Sequence, residues 1–354
     1  MSLTTVAILM VVVLLAGEGY VRLIAAHLPA PTDTEAELTL KYAQVREAAG
    51  RPVRGADVVY MGNSMTDAAV RPDLVSAARP GLGSGYNAAV LGMPVPQQAR
   101  WLREFVLPAQ RPRLVVLGVS PLDLLDTPVF DDPQEFVQRK FDHSLDALRP
   151  SVLERIDDRL SHLSYLVRYR IAFRNPSMLA RATGRRLTGG DVKNDRAVFQ
   201  QATLADGRQV RRDAAFWRET LAADGAIGNY RALTFDPGSV RLFTPAERHH
   251  LASGQLQLDW LRRLVAAARS TGAKVVAFVP PLEPIVAGEP GPDPTAYRHA
   301  VALLRTGLAR LHVPAVDVGS IGLGPGSFAD TAHLNDEGSA AFSRALAAAI
   351  RVPR

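Results

Sequence analysis

Asp57-Val58-Val59-Tyr60-Met61-Gly62-Asn63-Ser64-Met65-Thr66-Asp67 reads as a strand that runs into a turn and then into a helix. Val58 to Met61 is a short apolar run that stops at Gly62. A helix-compatible segment follows, from Thr66 through Val75 to Ala78, and Pro72 breaks or kinks it. A strand that ends in a tight turn and enters a helix places the turn residue at the carboxyl edge of a parallel sheet, where open α/β sheets bind ligands. Ser64 then carries an exposed hydroxyl, with the N–H groups of the helix start around it. Two roles fit that position: a nucleophile, or the cap of an ordinary strand–turn–helix junction.

Near the other end lies Phe328-Ala329-Asp330-Thr331-Ala332-His333-Leu334-Asn335-Asp336-Glu337-Gly338, ahead of a last apolar-periodic helix. Asp330 and His333 are three apart, so one turn can aim the carboxylate at an imidazole nitrogen. A serine hydroxyl is a poor nucleophile until a base takes its proton, and the base needs an orienting partner. Ser64 as nucleophile, His333 as general base and Asp330 as its orienter are therefore the candidate catalytic residues. The strand followed by Gly62-Asn63-Ser64, together with Asp-x-x-His-Leu-Asn at 330–335, resembles the SGNH (GDSL-like) hydrolase and acyltransferase superfamily. The likeness covers roughly residues 55–125 and 255–350 and is narrowest toward membrane-anchored bacterial members that act on cell-surface polymers.

That resemblance implies an oxyanion hole. Ser64 N–H is one expected donor. Tyr86-Asn87-Ala88-Ala89-Val90-Leu91-Gly92-Met93 resembles the second block of the family, and Gly92 stands at its donor glycine. The third block carries an asparagine, and here Gly118-Val119-Ser120-Pro121-Leu122-Asp123 places Ser120 there. A second departure is Asn63, where the commoner form has aspartate. Asn335 reads as the cap of the last helix, with Asp336 and Glu337 favourable to its N-terminal dipole.

Between these ends the chain alternates strands and helices. β-type runs fall at Val58–Met61, Gly85–Val90, Leu114–Val119, Lys274–Val279 and Ala315–Val318. Helical patterns fall at Gln97–Leu107, Leu256–Ser270, Thr295–Leu311 and Glu337–Ile350, and Gly272 stops the second of them. The pattern predicts an α/β fold: a three-layer, flavodoxin-like α/β/α arrangement on a five-stranded parallel sheet of order 2-1-3-4-5. More than 150 residues separate Val119 from Lys274, far beyond one crossover helix. The expected division is 1–28 as signal anchor or signal peptide and 29–54 as linker and helix. Residues 55–125 and 251–354 make the two parts of the SGNH domain, and 126–250 is an inserted cap that sets substrate choice. Within that cap Ile156, Leu160, Leu163 and Val167 step at helical intervals, and Gly189-Gly190 reads as a mobile loop.

At 354 residues, 47% hydrophobic and 21% charged, the chain can bury a full core. It has no cysteine, which excludes disulfides, thiolate catalysis and Cys-ligated metals. Residues 5–16 are densely apolar, and Gly17, Glu18 and Gly19 interrupt the run before Tyr20–Leu28. A signal anchor with the rest of the chain outside the cytoplasm is the expectation; a cleaved signal peptide and a buried N-terminal helix are the alternatives. The formal net charge is +6, and between 159 and 212 twelve Lys and Arg face three Asp. That cluster is either a solvated surface or an attractor for an anionic glycan or lipid headgroups. It lacks aromatic interleaving, so nucleic acid is not an expected partner. His249-His250 is the only histidine pair, and adjacent residues diverge on a helix, so neither a metal nor another cofactor is expected.

Two functional classes stay open. One is a serine-dependent O-acyltransferase or esterase on an exported cell-surface glycan, for which the resemblance implies an integral-membrane acyl donor protein as partner. The other is a non-catalytic polymer-binding component of a cell-envelope assembly.

Overall fold

A computed structural model describes residues 2–28, 36–50, 55–127, 134–149, 152–174, 176–189, 201–203, 208–211, 214–227, 245–282, 294–318, 321–330 and 332–351. The chain groups into two compact units: residues 36–138 with 201–354, and residues 1–35 with 139–200.

The first unit is built on five strands: β1 (Val58–Met61), β2 (Gly85–Asn87), β3 (Leu114–Gly118), β6 (Lys274–Phe278) and β7 (Ala315–Val316). They form one all-parallel sheet in the order β2-β1-β3-β6-β7, the 2-1-3-4-5 order expected from the alternation of patterns. Val58 pairs with Leu114 and Met61 with Leu117, so β1 and β3 end level at the carboxyl edge. Helices cover both faces, which is why these strands read as continuous apolar runs. Val58, Tyr60, Leu114, Val116, Val276 and Phe278 turn to one side. They share a core with Val75 of α4 (Pro72–Ala78) and Phe342 and Leu346 of α15 (Asp336–Ala349). Val59, Met61, Val115, Leu117, Val275 and Ala277 alternate with them and are also buried.

One detail meets the sequence expectation and one departs from it, each for a local reason. The segment after Ser64 splits into α3 (Ser64–Ala69) and α4, with Pro72 at the first turn of α4, where its missing N–H costs nothing. The run expected over 85–90 is regular only to Asn87. The Asn87 amide bonds back to Asp67 O and Val70 O at 3.2 and 2.9 Å, and its N–H goes to Asp224 O at 2.7 Å. Other helices of this unit are α2 (Ala36–Ala49), α5 (Val95–Trp101) and α6 (Leu107–Gln110), and, after the insertion, α13 (Leu258–Arg269) and α14 (Pro294–Arg310).

Among its described residues the insertion adds no strand to the central sheet; β4 (Gln201–Thr203) and β5 (Gln209–Arg211) pair only with each other, antiparallel. Its other described elements are helices. It contains α7 (Gln134–Leu148), α8 (Val152–Leu163), α9 (Tyr165–Arg168), α10 (Pro176–Thr188), α11 (Ala214–Thr220) and α12 (Pro245–Ser253). Residues 139–200 group with the N-terminal segment, and the remaining described residues of the insertion group with the sheet. Gly189 has φ of 66°, and Gly190 lies outside the described residues, as do Pro29-Ala30-Pro31.

In the second unit α1 (Leu3–Ile24) runs unbroken through Gly17 and Gly19. The span Leu3–His27 has 25 residues, a mean hydropathy of 2.0 and only 11% of its apolar window buried. It is long and apolar enough to cross a membrane, as a single-pass anchor or a signal sequence does, and it is not the core helix of this unit.

Candidate active site

The site begins where β1 runs out. A Cβ on Gly62 would fall 2.2 Å from Thr66 Oγ1 and 2.6 Å from Gly118 O. Only glycine lets the ends of β1 and β3 and the start of α3 converge there. Asn63 is extended and caps α3, its Oδ1 accepting the Met65 N–H at 2.9 Å. Ser64 is thereby the first residue of α3, and its own N–H has no helical acceptor.

His333 arrives on the loop before α15. Ala329 N–H bonds to His333 O at 2.8 Å and Asn335 N–H to Ser327 O at 3.1 Å, closing a small loop. Asn335 is the cap, accepting Gly338 N–H at 2.9 Å and donating through Nδ2 to Gly326 O at 2.7 Å. Inside this loop Asp330 Oδ1 accepts the N–H groups of Ala332 and His333 at 2.9 and 2.8 Å. The imidazole then lies between the other two groups. Its Nδ1 is 2.7 Å from Asp330 Oδ2 and 2.8 Å from Oδ1, and its Nε2 is 2.8 Å from Ser64 Oγ. A carboxylate accepts only, so Nδ1 carries the proton, and Nε2 is left to accept the Ser64 O–H. Burial pushes the Asp330 carboxyl up, but the imidazolium charge, its hydrogen bond and the two backbone N–H groups outweigh burial and bring it down to about 2.

The expected oxyanion donors divide. Gly92 is exposed at φ 69°, a left-handed turn with open space at its Cβ position, and its N–H makes no bond among the described residues. Ser120 is not brought to the cleft. It is fully buried and forms a capping box with Asp123: Ser120 Oγ accepts Leu122 N–H at 3.2 Å, and Ser120 N–H donates to Asp123 Oδ2 at 2.8 Å. A serine at this position is drawn into the local turn because Pro121 starts a short helix that needs a cap. Asp123 has a second partner, the Nδ2 of Asn63. That contact accounts for the amide at 63, since an aspartate there would set a carboxylate against a carboxylate. Burial raises the Asp123 carboxyl to about 7 against the pull of the Ser120 and Asn63 hydrogen bonds.

A buried charged cluster supports the site, and the sequence reading missed it. Lys41 of α2 is fully buried; its Nζ donates to Asp67 Oδ1 at 2.6 Å and to Ala89 O, and lies 3.1 Å from Glu37 Oε1. Glu37 Oε2 in turn accepts Leu91 N–H at 2.9 Å. The cluster thus ties α2 to α3, three residues past Ser64, and to the loop that carries Gly92. Burial disfavours the Lys41 charge, yet the two carboxylates overcome it and hold its pKa above the ordinary value. Burial and the neighbouring Glu37 push Asp67 well up. The visible signal was the Glu37/Lys41 spacing of four, on the segment read as the helix after the linker.

The cleft over Ser64 is about 420 Å³, open solvent included, and is walled by Leu91, Leu334, Trp217 and Ile227. Trp217 and Ile227 belong to the insertion and pack with Phe216, Leu40 and Leu91. Among the described residues no three His, Asp or Glu side chains are grouped to hold a metal ion. The chain matches no model of a protein family and no curated protein.

Proposed function

We propose that this chain is a membrane-anchored serine O-acyltransferase or esterase of the SGNH kind, acting on an exported cell-surface glycan. The observation that carries the reading is the 2.8 Å contact between Ser64 Oγ and His333 Nε2, with Asp330 behind the ring. His333 takes the Ser64 proton as Oγ adds to the ester carbonyl. The oxyanion forms opposite the N–H groups of Ser64 and Gly92. The tetrahedral species collapses to acyl-Ser64, and the imidazolium returns its proton to the departing alcohol oxygen. A sugar hydroxyl then attacks for transfer, or water for hydrolysis, with His333 again as base. The apolar walls suit an acyl group better than a sugar. The span Leu3–His27 supports anchoring with the bulk of the chain extracytoplasmic and an integral-membrane protein as acyl donor; a cleaved signal would instead release it.

The basic stretch favours a second reading, a non-catalytic component that holds an anionic polymer: between 159 and 212 twelve Lys and Arg face three Asp. Fluorophosphonate labelling separates the two. An activated serine is labelled, and Ser64→Ala loses the label together with ester turnover, by on the order of a million-fold. The fold tolerates this change, since a partly exposed turn serine contributes little packing. Release of a chromogenic alcohol from an acyl ester, with and without a sugar acceptor, then distinguishes transfer from hydrolysis. No label on folded protein leaves the binding reading.

A further inference from the structure

The unit formed by residues 1–35 and 139–200 holds a feature that the proposed chemistry does not use. α8 carries Val152, Ile156, Leu160 and Leu163, and all four are exposed, at 63, 49, 47 and 74%. At 100° per residue these positions fall within an arc of about 80°, so they make one apolar stripe facing away from the protein. Soluble surfaces scatter such residues singly, and a contiguous stripe marks a contact.

The surroundings identify what covers it. α8 ends at Leu163, and the next residue, Ser164, is bonded to the apolar helix. Glu18 of α1 accepts from Ser164 Oγ at 2.8 Å, Tyr165 N–H at 3.0 Å and Leu166 N–H at 2.9 Å. A Cβ on Gly17 would fall 2.7 Å from Leu166 Cδ1, and the Arg22 guanidinium stacks on the Tyr165 ring at 4.6 Å. Tyr20 OH meets Thr183 Oγ1 at 2.7 Å. The lower part of α1 is therefore clasped: Val21, Ile24 and Leu28 are buried, while Ile8 to Leu15 is bare. The clasp is where a spanning helix leaves hydrocarbon, with Tyr and Arg at that level. The stripe of α8 starts one residue from it. Charge points the same way, because residues 159–190 contain seven Arg and no Asp or Glu. Arg159 is exposed beside the stripe, and its long stem lets the guanidinium reach headgroup phosphates while the apolar residues sink.

We infer that α8 is a second, in-plane membrane contact, which lays Val152, Ile156, Leu160 and Leu163 into the headgroup–acyl boundary of an anionic phospholipid bilayer, with the exposed Arg159, Arg181 and Arg186 on its phosphates. An interfacial amphipathic helix sinks about 5–10 Å, and an anionic surface adds to its affinity. This rests on the anchored reading of α1 and adds to it a fixed posture of the unit on the bilayer.

The chain has no cysteine, so Ile156→Cys and Leu160→Cys each create a single site for a nitroxide on the full-length protein. Arg263→Cys, on an exposed face of the other unit, is the aqueous reference. In vesicles of phosphatidylcholine and phosphatidylglycerol, the labels at 156 and 160 should collide more with oxygen than with a water-soluble nickel chelate, and the label at 263 the reverse. In phosphatidylcholine alone the preference at 156 and 160 should shrink. Labels as wet as the reference, on a chain that floats with the anionic vesicles, overturn this inference alone. Equal burial in both vesicle types overturns the anionic assignment. Burial that appears only when membrane proteins are added assigns the stripe to a protein and overturns the lipid one. A chain that does not float with vesicles overturns the anchored reading and this inference with it.

Discussion

Asn63 and Asp123 show how one residue sets the chemistry available to its neighbours. Asn63 accepts from Met65 N–H and donates to Asp123, so a single amide both starts α3 and quiets a buried carboxyl. Asp123 should titrate with a midpoint of about 7 in a carbon-detected NMR titration. Asn63→Asp should lose fluorophosphonate labelling of Ser64 as pH rises through that midpoint, and adding Asp123→Asn should restore it. The stability signs are opposite for the two raised and lowered carboxyls. Asp123 is raised, so its contribution is complete below an unfolded Asp pKa of about 3.9 and is lost as pH climbs through about 7. Asp330 is depressed, so its contribution is complete above that unfolded value and is lost as pH falls through about 2. Asparagine mimics the neutral acid, so urea midpoints for Asp123→Asn and Asp330→Asn across pH 2–8 should both approach the unaltered protein at low pH, with Asp123→Asn the more stable above about pH 7 and Asp330→Asn the less stable at neutral pH.

At the scale of elements, α2 does more than connect. Its Lys41 is buried between two carboxylates and holds the strand-end loop through Ala89 O, while Glu37 holds Leu91 N–H. Lys41→Met leaves those carboxylates facing each other without a cation and should cost about 3–5 kcal/mol, read from urea unfolding. It should also slow labelling of Ser64 at pH values where the protein is still folded, because Gly92 is carried on the same loop. The strands, the split at Pro72 and the Asp330/His333 spacing were legible, since each is a local pattern whose physics lies within a few residues. Lys41 was not, because nothing near it in sequence says that Asp67 will meet it. The capping box of Ser120 is local in a different way: Pro121 and Asp123 beside it decide it. Trp217 was invisible because long insertions give no register to the sheet they fold against.

At the scale of the molecule, the insertion reaches the chemistry through Trp217 and Ile227, which wall the cleft with Leu91. Trp217→Ala should raise kcat/KM for longer acyl esters relative to acetyl by about tenfold or more, measured over a chromogenic ester series, as removal of pocket bulk does. The sheet itself gathers residues from distant parts of the chain. Ser64 and His333 stand 269 positions apart, and α15 docks on α3 and α4 through Ser343, whose Oγ meets Arg71 N–H at 2.9 Å and Ala69 O at 3.3 Å. Such a contact forms late, because a very long loop must close before it is rewarded. On a ribosome the serine is made early and its base some 270 residues afterwards, tens of seconds at ~5–20 residues per second, depending on the rate. On the proposed acyl-serine reading, an arrested or clipped product lacking residue 333 has a serine without its base and should take no fluorophosphonate label.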